Sequence, residues 1–167
     1  MNKLMLVVGL AAFAVPAVSN ADLALRGGLE TPIYTHFSQN GQSGSYSIGD
    51  TFQPAINVLA EWYPIGLLGL GVEFREGFAA TGSGCSRTGT FLGPNVTLDF
   101  ESLFARGAIP IHIEPGDVTM NLRLAGGLKI LGILYIEATA DFPMAGSNVS
   151  FFGQQQFGVG AGVWFKL

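Results

Sequence analysis

The chain has 167 residues, 49% of them apolar and only 12% charged, with a formal net charge of −4. A chain of one domain's length, acidic overall and with scattered basic residues, excludes a nucleic-acid surface. A lone cysteine, Cys85, excludes an intramolecular disulfide, and CxxC, HExxH and other metal-ligand spacings are absent, so neither metal nor cofactor is expected.

Met1-Asn2-Lys3 forms a short positive leader, Leu4 to Val18 is an apolar run interrupted by Gly9 and Pro16, and Val18-Ser19-Asn20-Ala21 offers small residues before Asp22. This is the pattern of a secretory signal cleaved after Ala21, because the run is shorter than the roughly 20 apolar residues that span a bilayer as a helix. Residues 1–21 are therefore assigned to the signal and 22–167 to one folded domain. No later segment has the uninterrupted apolar length of a membrane helix, although half the residues are apolar. A barrel resolves that conflict by exposing its apolar half to lipid one residue at a time.

The strands follow in order as period-two alternations. From Leu23 to Phe37, Leu23, Leu25, Leu29, Ile33 and Phe37 point one way and Arg26, Glu30, Tyr34 and His36 the other. Ser38 to Gly49 has no apolar period and is expected to be a polar loop. A second strand sets Phe52, Ile56, Val58, Ala60 and Trp62 against Gln53, Asn57 and Glu61, and Pro64-Ile65-Gly66 turns the chain into a third, where Leu68, Leu70, Val72, Phe74 and Phe78 oppose Glu73 and Arg75. Glu76 is the one charge on the apolar face. Residues 81–88, which include Cys85, are expected to be a second polar loop; Cys85 is either a reactive or intermolecular thiol or an incidental loop residue.

The fourth strand, from about Thr90 to Phe100, is interrupted by Gly93-Pro94, since a proline inside a sheet removes a ladder donor. A fifth sets Leu103, Ile109, Ile111 and Ile113 against Arg106, His112 and Glu114, and ends at the turn Pro115-Gly116-Asp117. The sixth sets Leu122, Leu124, Leu128 and Ile130 against Arg123 and Lys129, and a turn at Leu131-Gly132 leads to a seventh with Leu134, Ile136 and Phe142 against Tyr135, Glu137 and Asp141. Residues 144–153 form a third polar loop. In the eighth strand Phe157, Val159, Ala161, Val163, Phe165 and Leu167 alternate with Gly158, Gly160, Gly162, Trp164 and Lys166.

That terminal strand resembles the carboxyl-terminal signature of bacterial outer-membrane β-barrels, in which apolar residues alternate back from an apolar, usually aromatic, last residue. Phe165 and Val163 fit the pattern and Leu167 replaces the commoner terminal Phe. The resemblance implies that Phe165 and Leu167 serve as an assembly signal for the barrel assembly machinery, and that the destination is the outer membrane, with its lipid as surroundings. Over residues 22–167 the pattern resembles small barrels of the OmpA/OmpX type, so the expected fold is an all-β, transmembrane, antiparallel up-and-down barrel of eight strands. In that family short turns face the periplasm and long loops the outside, which implies that 38–49, 81–88 and 144–153 lie at the cell surface.

Nearly all mid-strand charges share the inner phase: Arg26, Glu30, Glu61, Glu73, Arg75, Asp99, Arg106, Glu114, Arg123, Lys129, Glu137, Asp141 and Lys166. An Arg or Lys facing lipid at the midplane costs about 2–4 kcal/mol, so a lumen charge network is expected, filling a barrel just wide enough for its side chains. An added charge at the lipid face, as in Leu122→Arg, should impair folding, and loss of one lumen charge, as in Arg123→Gln, should be milder because the lumen is polar. The glycine run 158–162 precedes no helix and is not a phosphate loop.

His36-Phe37-Ser38 resembles the His-x-Ser arrangement of outer-membrane lipid A deacylases, where an acid orients the His. In that family the motif lies in a late strand and faces lipid. Here it ends the first strand, the alternation points His36 inward and no acid is placed beside it. The leading expectation is therefore a non-enzymatic structural or surface-interaction protein whose extracellular partner is held by the loops, with Tyr46 as an aromatic binding candidate. The alternatives are a narrow channel or small-ligand conduit and a lipid-modifying enzyme.

Overall fold

The computed structural model describes residues 22–39, 42–50, 52–81, 84–114, 118–145 and 154–167. The expected signal segment and the turn at 115–117 lie outside them. Ten strands form one antiparallel sheet: β1 (Asp22–Gln39), β2 (Gln42–Ser47), β3 (Ala55–Ile65), β4 (Leu68–Thr81), β5 (Gly84–Phe100), β6 (Leu103–Ala108), β7 (Ile111–Glu114), β8 (Thr119–Ile130), β9 (Leu134–Ala145) and β10 (Gln154–Lys166). β10 pairs with β1 from Ala24↔Lys166 to Phe37↔Gln154, so the sheet closes. β6 and β7 are successive pieces of one stave, both lying between β5 and β8, and β2 pairs with the end of β1 beyond the ring. Eight staves make the wall. Asp22 and Leu167 share one end with the short reversals 66–67, 101–102 and 131–133.

Alternation decides which face is which. In β3, Ala55, Asn57, Leu59, Glu61 and Tyr63 are buried and Ile56 and Val58 exposed; in β9, Tyr135, Glu137, Thr139 and Asp141 are buried and Leu134, Ile136 and Ala138 exposed. Leucines, isoleucines and valines therefore cover the outside while arginines and carboxylates fill the inside. That is the reverse of a water-soluble barrel, and an apolar surface so extensive is compatible only with hydrocarbon around it. No helix of the described residues is long and apolar enough to cross a membrane; the strands do so.

Several boundaries differ from those expected. Residues 42–47 are not loop: β2 lies antiparallel on β1, with Thr35 opposite Tyr46 and Phe37 opposite Gly44. Backbone pairing needs no apolar residues where both faces meet water, so hydrophobic alternation is silent there. For the same reason β4 and β5 run on to Thr81 and Gly84, and Cys85 stands in a strand opposite Ala80. Likewise β9 continues to Ala145 and β10 begins at Gln154, which leaves 146–153 outside the described residues. Pro64 lies inside β3, and the reversal is Gly66-Leu67.

Gly93-Pro94 does not interrupt β5. Pro94 points outward and its carbonyl accepts the Ile109 N–H at 3.0 Å, while Gly93 admits the facing chain so closely that a Cβ there would lie 2.0 Å from the Ile109 carbonyl oxygen. The break falls instead on the partner stave, at Ile109-Pro110 between β6 and β7.

A bulge corrects the facing of the first strand. Pro32 pairs with Gly158 and Tyr34 with Phe157, so Ile33 is an extra residue on β1. Its carbonyl accepts the Ile48 N–H at 3.1 Å where β2 departs. Beyond it the phase inverts: Tyr34 and His36 turn outward and Thr35 and Phe37 inward. Tyr34 joins an outer aromatic row with Phe157, at 6.3 Å between ring centres, and Phe157 meets Phe142 at the same spacing.

Candidate functional site: the lumen and its mouth

The lumen holds three charged layers. At the turn end Asp99 receives Lys129 at 2.5 Å and Lys166 at 2.9 Å. Above it Arg26 pairs with Glu61 at 2.9 Å, and Glu61 also accepts from Thr97 at 2.5 Å and Asn95 at 3.3 Å. The third layer is one connected network. Arg106 holds Glu73 at 2.5 Å and Glu137 at 3.0 Å; Arg123 holds Asp141 at 2.9 Å, Glu73 at 3.3 Å and Glu30; Arg75 holds Glu30 at 3.1 Å and Asp141 at 3.2 Å. Six basic and six acidic side chains thus balance among the described residues, each with an opposite charge in reach. The side chain of Glu114 is outside those described.

Aromatic rings close the turn end. Phe104 meets Tyr135 edge-on at 5.9 Å and Trp164 at 5.3 Å, and the Arg26 guanidinium lies 3.3 Å from the Trp164 ring centre. Lys129 lies 4.6 Å from Trp164 and Lys166 4.2 Å from Tyr63, within the range of cation–π attraction. Gly28, Gly69 and Gly127 leave the space that Tyr135, Tyr63 and Phe104 fill. Alternation places Tyr135 and Trp164 inward, but the layer they make with Tyr63 and Phe104 comes from four staves and has no local signature.

The ring layer and the ion-pair network together occupy the lumen of the described residues with buried side chains, the packing expected of an eight-stranded barrel. Purified protein in a planar bilayer should show a baseline without reproducible steps. Step-like openings abolished by Glu73→Gln or Arg75→Gln would mean that the network lines a path.

At the loop end the lumen widens into a cavity of about 310 Å³. Glu30, Arg75 and Asp141 form its floor, and Phe91 stands beside Arg75 with the guanidinium 4.2 Å from the ring centre. Gln53, Thr119, Asn121, Gln154 and Gln156 line its walls.

The β1–β2 hairpin rises past the wall beside this mouth. Tyr46 sits opposite Thr35, which sits opposite Gln156, and residues directly opposite share a face. Tyr46 therefore stands on the lumen side of the hairpin, stacked on Phe37 at 5.3 Å. Asp50 accepts the Ser47 N–H at 2.7 Å and the Ser47 hydroxyl at 3.0 Å, which fixes the hairpin's return and holds the carboxyl below its usual range. On the outer face Glu76 meets Arg87 and accepts from Thr90 at 2.7 Å, so its charge on the apolar side is satisfied by an opposite one on the neighbouring strand. The bulge carries His36 outward, opposite Gln155 and Ser45, and among the described residues no carboxylate is paired with it. Phe165 lies on the lipid face opposite Leu25, and Leu167 is exposed beyond it.

No family model and no curated protein matches the chain. Solved structures do. Neisserial surface protein A is 14% identical with a TM-score of 0.50, over 87% of this chain and 97% of that one. Ail, the attachment invasion locus protein of Yersinia pestis, is 9% identical with a TM-score of 0.49, over 87% and 99%. The N-terminal β-barrel domain of Pseudomonas aeruginosa OprF is 12% identical with a TM-score of 0.44, over 87% and 98%. The fold is that of a small OmpA/OmpX-type outer-membrane barrel. Its closed antiparallel wall, apolar outside and charged inside, is the form in which strands cross a bacterial outer membrane.

Proposed function

We propose that this barrel is a non-catalytic scaffold that presents its loop end to an extracellular partner. The observation that carries the reading is the filled lumen: among the described residues every charged side chain of the lower and middle barrel is held by an opposite charge, while neutral polar side chains open to solvent gather at the mouth and on the hairpin above it. Loops on a rigid wall are where binding groups usually sit, and Tyr46 is an aromatic anchor of the kind that dominates interfaces. Barrel assembly machinery reading Phe165 and Leu167, and outer-membrane lipid around the belt, complete the proposed partners.

Replacing residues 39–47 by a short Asn-Gly turn tests this. The variant should fold, as judged by resistance to SDS before heating, and lose attachment of cells expressing it to host-cell or matrix surfaces. Attachment retained by a folded variant would move the partner site to 81–88 or 144–153. Retention after all three replacements would leave a purely structural role.

A further inference from the structure

The cavity at the mouth has an uncommon chemistry: its charges are spent and its neutral groups are not. Arg75 is held by Glu30 at 3.1 Å and by Asp141 at 3.2 Å, and Asp141 is also held by Arg123 at 2.9 Å. An anionic ligand would approach two buried carboxylates and a cationic one two arginines, so neither gains a free counter-charge. The walls differ. Among the described residues no side-chain hydrogen bond engages Gln53, Thr119, Asn121 or Gln154, and Gln156 makes one long contact, 3.4 Å to Thr35. An amide offers donors and acceptors together, the complement of a hydroxyl, which is also both. Phe91, Pro32 and Pro143 put apolar surface between these groups.

From this arrangement we infer that the mouth of the barrel binds a neutral saccharide unit, whose alternating C–H and O–H edges match a wall of amides, hydroxyls and apolar rings. A cavity of about 310 Å³ is at the small end of ligand sites, suited to one ring or the terminal unit of a chain. The site deepens the proposed loop-end function and rests on it only in using the same open end. Apart from Gln53, which precedes β3, its residues lie on the staves, and all of them fall outside the 39–47 segment. The floor orients the ligand from below through the lone pairs of Asp141 and Glu30 left over by their arginines.

The test is saturation-transfer NMR on protein refolded in a sugar-free detergent, with methyl glucoside, methyl galactoside and methyl mannoside as neutral probes and glucuronate and glucosamine as charged ones. At least one neutral pyranoside should show transfer at millimolar affinity, with both charged sugars at least about tenfold weaker. Gln53→Leu with Asn121→Leu should reduce the transfer at least about fivefold while the barrel stays SDS-resistant; should that variant not fold, Thr119→Val serves instead with a smaller loss. The 39–47 replacement should leave the transfer unchanged, so that failure of the surface-attachment reading and failure of this one are separable. Absence of transfer from all three neutral sugars, transfer unchanged in a folded wall variant, or preference for a charged sugar would each overturn the inference.

Discussion

Arg123→Gln is expected to destabilise the folded barrel by about 3–5 kcal/mol, the cost of removing one partner from a buried ion pair. Arg123 is 1% exposed and reaches Glu30, Glu73 and Asp141 from β8. Without it those three carboxylates share Arg75 and Arg106, and Arg106 is already committed to Glu137 at 3.0 Å. A glutamine amide donates hydrogen bonds but brings no charge, and Glu73, 1% exposed, lies away from the cavity that Glu30 and Asp141 line. Because the loss is one of charge balance, Asp141→Asn added to Arg123→Gln should recover part of it, by about 1 kcal/mol or more. Urea unfolding in lipid vesicles measures all three. An Arg123→Gln midpoint equal to that of the wild type, or a double variant weaker than the single by the full cost of both, would mean that the network is not what holds the middle of the lumen.

This reverses an expectation that alternation alone supports, namely that a polar lumen repacks around a lost charge. The reason is one of information. Period two tells which face Arg123, Glu73 or Glu61 takes, since a one-residue slip would carry a charge into lipid, and the structure places them on that face. It does not tell which acid meets which base: Arg123 and Glu30 are 93 positions apart, and the pairing depends on the height at which each stave crosses the lumen. The bulge at Ile33 is silent for a related reason, since Pro32-Ile33-Tyr34-Thr35 reads as regular alternation whether or not one residue is skipped. That single residue reverses His36 and Tyr34. The β1–β2 hairpin and the extra lengths of β4 and β5 were hidden because they leave the membrane, where neither face must be apolar. The cavity at the mouth gathers residues from seven staves, and no stretch of sequence contains it.

Leu124→Arg, one position along from Arg123 and pointing the opposite way, should cost about 2–4 kcal/mol because it puts a guanidinium into hydrocarbon near mid-depth. Leu124 is 47% exposed in the middle of β8, and its neighbours across the strands are Gly107 and Ala140. Neither offers a polar group, and the outer-face carboxylate of Glu76 lies on a distant stave, already engaged by Arg87. The chain therefore has to bend the lipid, draw in water or tilt the side chain toward an interface, each at a cost. Val118, 67% exposed at the loop end of the same stave, supplies the comparison: an arginine there reaches the headgroups directly and should cost only about 0–1 kcal/mol. Urea unfolding of Leu124→Arg and Val118→Arg in vesicles should thus separate the two by roughly 2 kcal/mol or more, with both variants still inserting when the lipid is fluid. Equal costs at the two depths would place the apolar belt elsewhere on the barrel. A Leu124→Arg variant as stable as wild type would mean that this face does not meet lipid, and the outward placement of every leucine in β8 would then need a protein partner to cover it.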